Sequence, residues 1–241
     1  MRFPENVFDL VGGEDAIWSD DHAGLSDETL RVTGPRGEFF IKRGPVAVAE
    51  HERLRWLKRW ADVPDIVAFE DEVLVLAEAG WRSLERKSAP PEAGALMGGA
   101  LRALHAIPVE ECPFDERLDV KLARAADRVL AGLVDPADFD DDHAGLTPEE
   151  VHARLLAERP AGEDLVVTHG DFTPANVLAS PSGEVILIDV GALGVADRYV
   201  DLAVALRELD GPAAADFLAA YGLAEVDEAK LAYYRLLDEL F

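Results

Sequence analysis

His169-Gly170-Asp171-Phe172-Thr173-Pro174-Ala175-Asn176 lies between two short β-rich runs, Leu165-Val166-Val167-Thr168 before it and Val185-Ile186-Leu187-Ile188 after it. The second run leads straight into Asp189-Val190-Gly191. Short apolar runs bounded by turn signals read as buried strands, and Pro181-Ser182-Gly183 supplies a turn between this pair. Two strands thus deliver two carboxylates near their ends, with Asn176 five positions after Asp171 and Asp189 thirteen after Asn176. The bland alternative is a loop whose Asp and Asn side chains bond local backbone. The triple constellation behind two apolar strands outweighs it.

The spacing H-x-D-x-x-x-x-N followed by D-x-G is that of a kinase catalytic loop with its metal-binding Asp, and phosphoryl transfer explains each residue type. An acceptor hydroxyl must be held in line with the γ-phosphate, so a carboxylate that takes its proton is wanted at Asp171. Mg²⁺ prefers hard oxygens and keeps several waters, so the Asp189 carboxylate and the Asn176 side-chain carbonyl suffice together with ATP phosphates. Gly191 lets the backbone turn after Asp189.

Upstream, Thr29-Leu30-Arg31-Val32, Gly34-Pro35-Arg36-Gly37 and Glu38-Phe39-Phe40-Ile41-Lys42 read as a hairpin. Residues 65–70 and 72–77 read as a second strand pair, and 46–61 as a helix inserted into this small antiparallel sheet. Glu50 precedes Leu54, Leu57 and Ala61 at helical spacing, so its carboxylate falls on the apolar stripe. A buried carboxylate needs a partner. Lys42, on a predicted strand, is the nearest upstream lysine, and a strand Lys paired with a helix Glu is how kinases hold the α- and β-phosphates. Alone, a snorkelling Lys and a helix-edge Glu would be the simpler reading; the downstream loop reverses that preference. No G-x-G-x-x-G precedes Lys42, and Gly24-Leu25-Ser26-Asp27, with the Ser26 hydroxyl, is the best phosphate-contact candidate, a simple polar turn being the alternative.

From about residue 90 the composition turns to Ala/Leu/Arg/Glu-rich segments that predict helices at 92–106, 119–132, 147–158, 200–209, 212–221 and 227–240. The class is α+β. The chain has 241 residues with 48 Asp+Glu against 23 Lys+Arg, a formal net charge of −25, which repels a phosphate backbone and disfavours nucleic acid as a partner. The same charge attracts a polycation, although a saline cytosol or a GC-biased genome accounts for it equally well. No run of about 18 apolar residues suggests a membrane span. The lone Cys112 cannot form an internal disulfide, and the N-terminus lacks a signal pattern, so a cytoplasmic location is expected.

These residues match a known family. Val167-Thr-His-Gly-Asp171, the run Ile188 to Tyr199 with Asp201-Leu-Ala, Cys112-Pro-Phe-Asp and the terminal Tyr234 to Phe241 resemble the aminoglycoside phosphotransferases, most closely the aminoglycoside 3'-phosphotransferases. The resemblance runs from about Trp18 to the C-terminus. It implies a two-lobed protein-kinase-like fold: a small N-terminal antiparallel sheet with one helix and the hinge in 1–79, and a larger, mainly helical C-terminal lobe in 80–241. It further implies ATP and Mg²⁺, and transfer of the γ-phosphate to a 3'-hydroxyl of antibiotics such as kanamycin or neomycin, which confers resistance. Carried over by position, Asp171 is the catalytic base, Asn176 and Asp189 hold Mg²⁺, and Lys42 with Glu50 positions phosphates. The stretch 74–79, ending in Glu78 and Ala79, resembles the hinge whose backbone receives adenine. An acidic loop matching Asp138, Asp140, Asp141 and Asp142, and a C-terminus matching Asp238, Glu239 and the Phe241 carboxylate, would face the antibiotic. Arg207 matches another substrate-facing position, with a solvated helix Arg as its plain reading. Two carboxylate clusters on one cleft would bind ammonium groups by charge-assisted hydrogen bonds and speed encounter; a solvated acidic helix start is the alternative for residues 138–142. Close relatives carry Arg after the Gly of D-x-G where this chain has Ala192, so substrate preference is less fixed than reaction type.

The remaining polar residues take structural readings. His105 reads as a hydrogen-bonded structural histidine, His169 as a loop orienter, Asp197 and Asp201 as partners of loop backbone or nearby side chains, Cys112 as a buried thiol, and Trp56, Trp60 and Tyr233 as packing residues. A monomer or weak dimer is expected. Two competing functions stay open at this level: a kinase of another small cytosolic alcohol, a sugar or amino-alcohol, and a catalytically idle kinase-like binding module.

Overall fold

The computed structural model describes residues 4–19, 29–85 and 89–241, which divide into two units: Met1–Ala89 with Ala175–Ala192, and Pro90–Pro174 with Leu193–Phe241. In chain order the strands are β1 (Ile17–Ser19), β2 (Leu30–Gly34), β3 (Gly37–Arg43), β4 (Ile66–Glu70), β5 (Val73–Ala77), β6 (Arg82–Ser83), β7 (Leu165–Thr168), β8 (Val177–Ala179), β9 (Val185–Leu187) and β10 (Gly194–Asp197). The helices are α1 (Glu5–Val11), α2 (Gly44–Leu57), α3 (Ala93–His105), α4 (Leu118–Leu130), α5 (Pro148–Ala157), α6 (Tyr199–Glu208), α7 (Gly211–Tyr221) and α8 (Glu228–Asp238).

In the first unit the sheet runs β1-β2-β3-β5-β4 with every neighbouring pair antiparallel. The predicted hairpin closes with Gly34 opposite Gly37, and Gly37 sits at φ 130°, a conformation that an L side chain resists. The β4–β5 turn places Asp71 and Glu72 at φ 47° and 60°, the two consecutive positive φ angles of a type I′ turn. Strand alternation then sorts the side chains. Val32, Phe39, Ile41, Val73 and Val75 form one buried cluster with Val7 and Val11 of α1. Lys42, opposite Leu74 in the β3–β5 register, falls out of phase with that cluster. Sequence reading gave this sheet one helix; α1, a short helix behind Pro4, is a second. In α2, Leu54 and Leu57 are fully buried, each contributing about 2 kcal/mol of apolar transfer. The helix stops at Leu57, so Ala61 lies beyond it, and Trp60, expected to pack, is 43% exposed on the post-helical turn while Trp56 is buried.

A smaller sheet, β6-β8-β9, completes this unit. It corrects the expectation that 165–168 and 185–188 pair across Pro181-Ser182-Gly183. That turn joins β8 to β9, and β7 pairs instead with β10. A local hairpin closes a short loop at low entropic cost, and Val177-Leu178-Ala179 is too short to have been read as its first strand. Because β6 pairs β8, residues 80–89 and 175–192 fall with the first unit, whereas the sequence boundary stood at 79/80.

The second unit sets the β7–β10 ladder among helices. Helices α3 and α7 meet backbone to backbone: a Cβ at Gly94 would lie 2.2 Å from the Ala213 carbonyl oxygen, and one at Gly98 2.2 Å from that of Phe217. α5 opens on a capping box in which Thr147 and Glu150 bond each other's backbone amides, and α8 is capped by Asp227. Among the described residues no helix is long and apolar enough to cross a membrane.

Candidate active site

Lys42 of β3 donates to Glu50 Oε2 of α2 at 2.5 Å and also pairs with Asp189 Oδ1. The Lys42 and Glu50 side chains are 11% and 2% exposed. Glu50 therefore occupies the apolar stripe as the helical spacing requires. Its Oε1 is buried without a hydrogen-bond partner among the described residues. Burial opposes the charge on Lys42, but the carboxylates of Glu50 and Asp189 outweigh it and raise the ammonium pKa, so the lysine stays cationic.

Asp189 reaches Lys42 from an unusual backbone. It follows β9 at φ 57°, a left-handed conformation that Asp tolerates better than most residues. The next turn of chain, Val190–Ala192, packs against α2. Asn176 is brought close to it by the β8–β9 hairpin, because the Ile188 amide donates to the Asn176 carbonyl at 3.1 Å. One carboxylate and one amide oxygen, both hard donors, thus lie on neighbouring chain segments. At the end of β5 the Glu78 amide donates to the Glu38 carbonyl at 3.0 Å, which leaves that amide engaged within the sheet. Ser26 lies outside the described residues.

In the second unit β7 carries His169, Gly170 and Asp171 past its end. His169 is fully buried and Asp171 is exposed. Gly170 turns at φ 91°, and the Asp171 amide donates to His169 Nδ1 at 3.3 Å, the loop-orienting role expected of that histidine. Asp201, buried on α6, accepts the His169 and Gly170 amides at 2.8 Å each and His105 Nε2 at 2.9 Å. Burial would raise its pKa, but His105 and these bonds outweigh burial and hold the carboxyl below the usual range. Asp197 likewise accepts the Asp164 and Tyr199 amides at 2.9 Å. His105, Asp197 and Asp201 thus behave as the sequence suggested. Cys112 is only half-buried, since the short turn Val109–Glu111 before it leaves the thiol near the surface.

The second unit also holds a cavity of about 350 Å³ lined by Asp140, Asp141, Asp142, His143, Leu206, Arg207 and Arg235. The acidic loop is a 3₁₀ turn, Asp141–His143, rather than the start of α5. Arg207 is exposed on α6, as its plain reading expected, and is also ion-paired: its Nη1 lies 2.7 Å from Asp238 and 3.6 Å from Asp140. Glu239 is turned inward, 4% exposed, accepting the Asp140 amide at 3.2 Å and facing His143 Nδ1 at 2.5 Å. Arg128 donates to the Phe241 oxygen at 2.8 Å. Asp138 is exposed and does not line the cavity. His143, Arg128 and Arg235 were not singled out by sequence reading, since isolated basic residues in helices and loops carry no spacing signal.

Comparison with known proteins gives concordant findings. A model of the phosphotransferase enzyme family matches residues 18–235. An aminoglycoside 3'-phosphotransferase from Streptomyces fradiae is 42% identical over all of this chain and 83% of its own length. A crystal structure of an aminoglycoside 3'-phosphotransferase of type VIII superposes with a TM-score of 0.85 at 37% identity, covering 94% of each chain. An aminoglycoside phosphotransferase from Streptomyces rimosus, in complex with ADP and streptomycin, superposes with a TM-score of 0.76 at 27% identity over 95% of this chain and 94% of that one.

Proposed function

The chain belongs to the phosphotransferase enzyme family, and from that premise we propose that it moves the γ-phosphate of ATP to a hydroxyl, the 3'-hydroxyl, of an aminoglycoside antibiotic such as kanamycin or neomycin. The observation that carries the reading is the carboxylate-lined cavity in a chain that also presents the Lys42–Glu50–Asp189 cluster. A polyamine sugar offers the ammonium groups such a cavity binds by charge-assisted hydrogen bonds.

Lys42, fixed by Glu50, contacts phosphate oxygens as a point charge. Ser26 supplies a further phosphate contact, and the backbone at Glu78 and Ala79 receives adenine. Asp171 accepts the proton of the attacking hydroxyl, so that transfer proceeds in line without a covalent enzyme intermediate. The Asp189 carboxylate and the Asn176 amide oxygen fit Mg²⁺, which takes few protein oxygens and retains waters. When bound, that ion neutralises charge on the transferring phosphates. Asp140, Asp141 and Asp238 meet ammonium groups directly. Glu239 acts through the loop it anchors, Arg207 holds Asp238 against it, and Asp138 and Phe241 form its outer margin. A monomer or weak dimer in the cytoplasm, without nucleic acid, completes the reading.

The test is incubation with ATP, with Mg²⁺ or a chelator, and a panel of aminoglycosides, followed by ³¹P and ¹H NMR of the product. Phosphate on the 3'-oxygen, and no product from drugs lacking that hydroxyl, is the expected result. Turnover of a simple sugar or amino-alcohol with none of any aminoglycoside would sink it.

A further inference from the structure

The hydrogen bonds behind Asp171 do not end at Asp201. His105, whose side chain is 4% exposed, is the last residue of α3, and its second nitrogen, Nδ1, lies 2.8 Å from the hydroxyl of Tyr221, the last residue of α7. Asp201 can only accept, so Nε2 of His105 carries the hydrogen that faces it, and in the neutral ring Nδ1 is then an acceptor. The Tyr221 hydroxyl, which donates to that nitrogen when the ring is neutral, accepts from Arg198 Nη1 at 3.0 Å. Arg198 is itself held by Asp164, with Nε 2.6 Å from Oδ2. The series runs without a break from Arg198 through Tyr221 and His105 to the carboxylate that receives the His169 and Gly170 amides.

The geometry of that series is set by helix packing. His105 follows Gly98 by seven residues and Tyr221 follows Phe217 by four, so both ride on the faces that meet along the α3–α7 seam. The seam is closed to any side chain at Gly94 and Gly98, where an added Cβ would be 2.2 Å from a carbonyl oxygen of α7. The Tyr221 ring stacks on Phe217 at 6.2 Å and meets the His105 ring edge-on at 5.5 Å, which removes rotational freedom from both.

We infer that Tyr221, together with the glycine seam that delivers it, is a positioning element for phosphoryl transfer: it fixes His105, His105 fixes Asp201, and Asp201 fixes the backbone that presents Asp171. None of these residues is assigned a contact with either substrate. The inference rests on the proposed phosphotransferase reading for its kinetic consequence, but not for its structural one.

Tyr221→Phe removes the hydroxyl's bonds to His105 and Arg198 with little change in volume. It is expected to lower kcat by about 3- to 10-fold, leave KM for ATP and for kanamycin within about two-fold, and speed amide exchange at His169 and Gly170 by a similar factor. His105→Gln keeps a donor towards Asp201 but offers Tyr221 no ring nitrogen; it should match Tyr221→Phe, and the double variant should fall no further than either. Gly98→Ala should speed exchange at the same two amides, whereas Gly99→Ala, with nothing within 4 Å of its added Cβ, should not. Unchanged kcat and exchange in Tyr221→Phe, or single effects that multiply in the double variant, would overturn the inference. Exchange is measured without substrates. A wild-type protein that phosphorylates no aminoglycoside therefore defeats the functional reading alone, while unchanged exchange at His169 and Gly170 in an active enzyme defeats this one alone.

Discussion

Lys42 and Asp189, 147 positions apart in the chain, are joined as an ion pair, with Glu50 as the second carboxylate on the same ammonium. Glu50 is 1% exposed, so its charge depends on that partner. Removing one member of a buried pair leaves the other uncompensated, typically at about 3–5 kcal/mol, whereas replacing both with apolar groups is often neutral. Lys42→Met should accordingly lower the free energy of urea unfolding by about that amount, and Lys42→Met with Glu50→Leu should recover most of it. Equal stability of the single variant and wild type would show that Glu50 is neutral and its pairing unimportant.

Asp171 stands exposed at the end of a rigid support: two backbone amides before it are tied to Asp201. Asp171→Asn should therefore leave the fold unchanged and remove the proton acceptor, lowering kcat by about 10²- to 10⁴-fold. Lys42, Glu50 and Asp189 keep their own bonds in this variant, so ADP affinity by calorimetry should stay within a few-fold of wild type. A kcat within a factor of about three would assign the proton to another acceptor.

The residues that read correctly from sequence are those whose spacing carries physical information. Glu50 lies four and seven positions from two buried leucines, and a helix turns that arithmetic into burial. Asp171 and Asp189 stand just past the ends of β7 and β9, where the strand signals put them, and the six predicted helices of the second half fall within one or two residues of α3 to α8. Elements too short for periodicity were missed: α1, whose seven residues bury only Val7 and Val11, and β8, whose three residues redirect β9 away from β7. The inward turn of Glu239 was also illegible, because its partner His143 is 96 positions away and neither residue lies in a repeating pattern. The α3–α7 seam was visible only as Gly94 and Gly98 four apart, a spacing that gains meaning once Ala213 and Phe217 are seen against it.

Alkaline pH should destabilise the fold through Tyr233. Its hydroxyl donates to the Leu155 carbonyl at 3.1 Å, and burial pushes its pKa up from 10.0 to about 12. With the folded pKa above the unfolded one, the native state retains the proton longer; its contribution is complete below pH 10 and is lost as pH rises towards 12. The loss is on the order of 2 kcal/mol. Tyr234, also raised by burial, adds to the slope in the same direction. Urea unfolding at pH 9, 10.5 and 11.5 should show stability falling in wild type and a shallower fall in Tyr233→Phe. Parallel slopes would remove Tyr233 from the account.

The acidic cavity makes a separate prediction about ionic strength. Asp140, Asp141 and Asp142 line it together with Arg207 and Arg235, so cationic ligands enter against two resident guanidinium groups. Their attraction to the carboxylates is of the partly solvated kind, about 0.2–1 kcal/mol for each exposed pair, and it weakens once the Debye length shrinks to a few ångströms. KM for kanamycin should rise several-fold between low salt and about 0.5 M NaCl, while kcat changes little. Asp140→Asn with Asp141→Asn should raise KM at low salt by about 2- to 10-fold and flatten the salt dependence, because fewer charges remain to be screened. Deleting Phe241 removes one of the two backbone oxygens that Arg128 binds, the other being that of Leu240, and should raise KM as well. If the double variant kept both the wild-type KM and its salt slope, the ammonium groups would have to be recognised elsewhere on the protein, and the cavity would lose its role in drug binding.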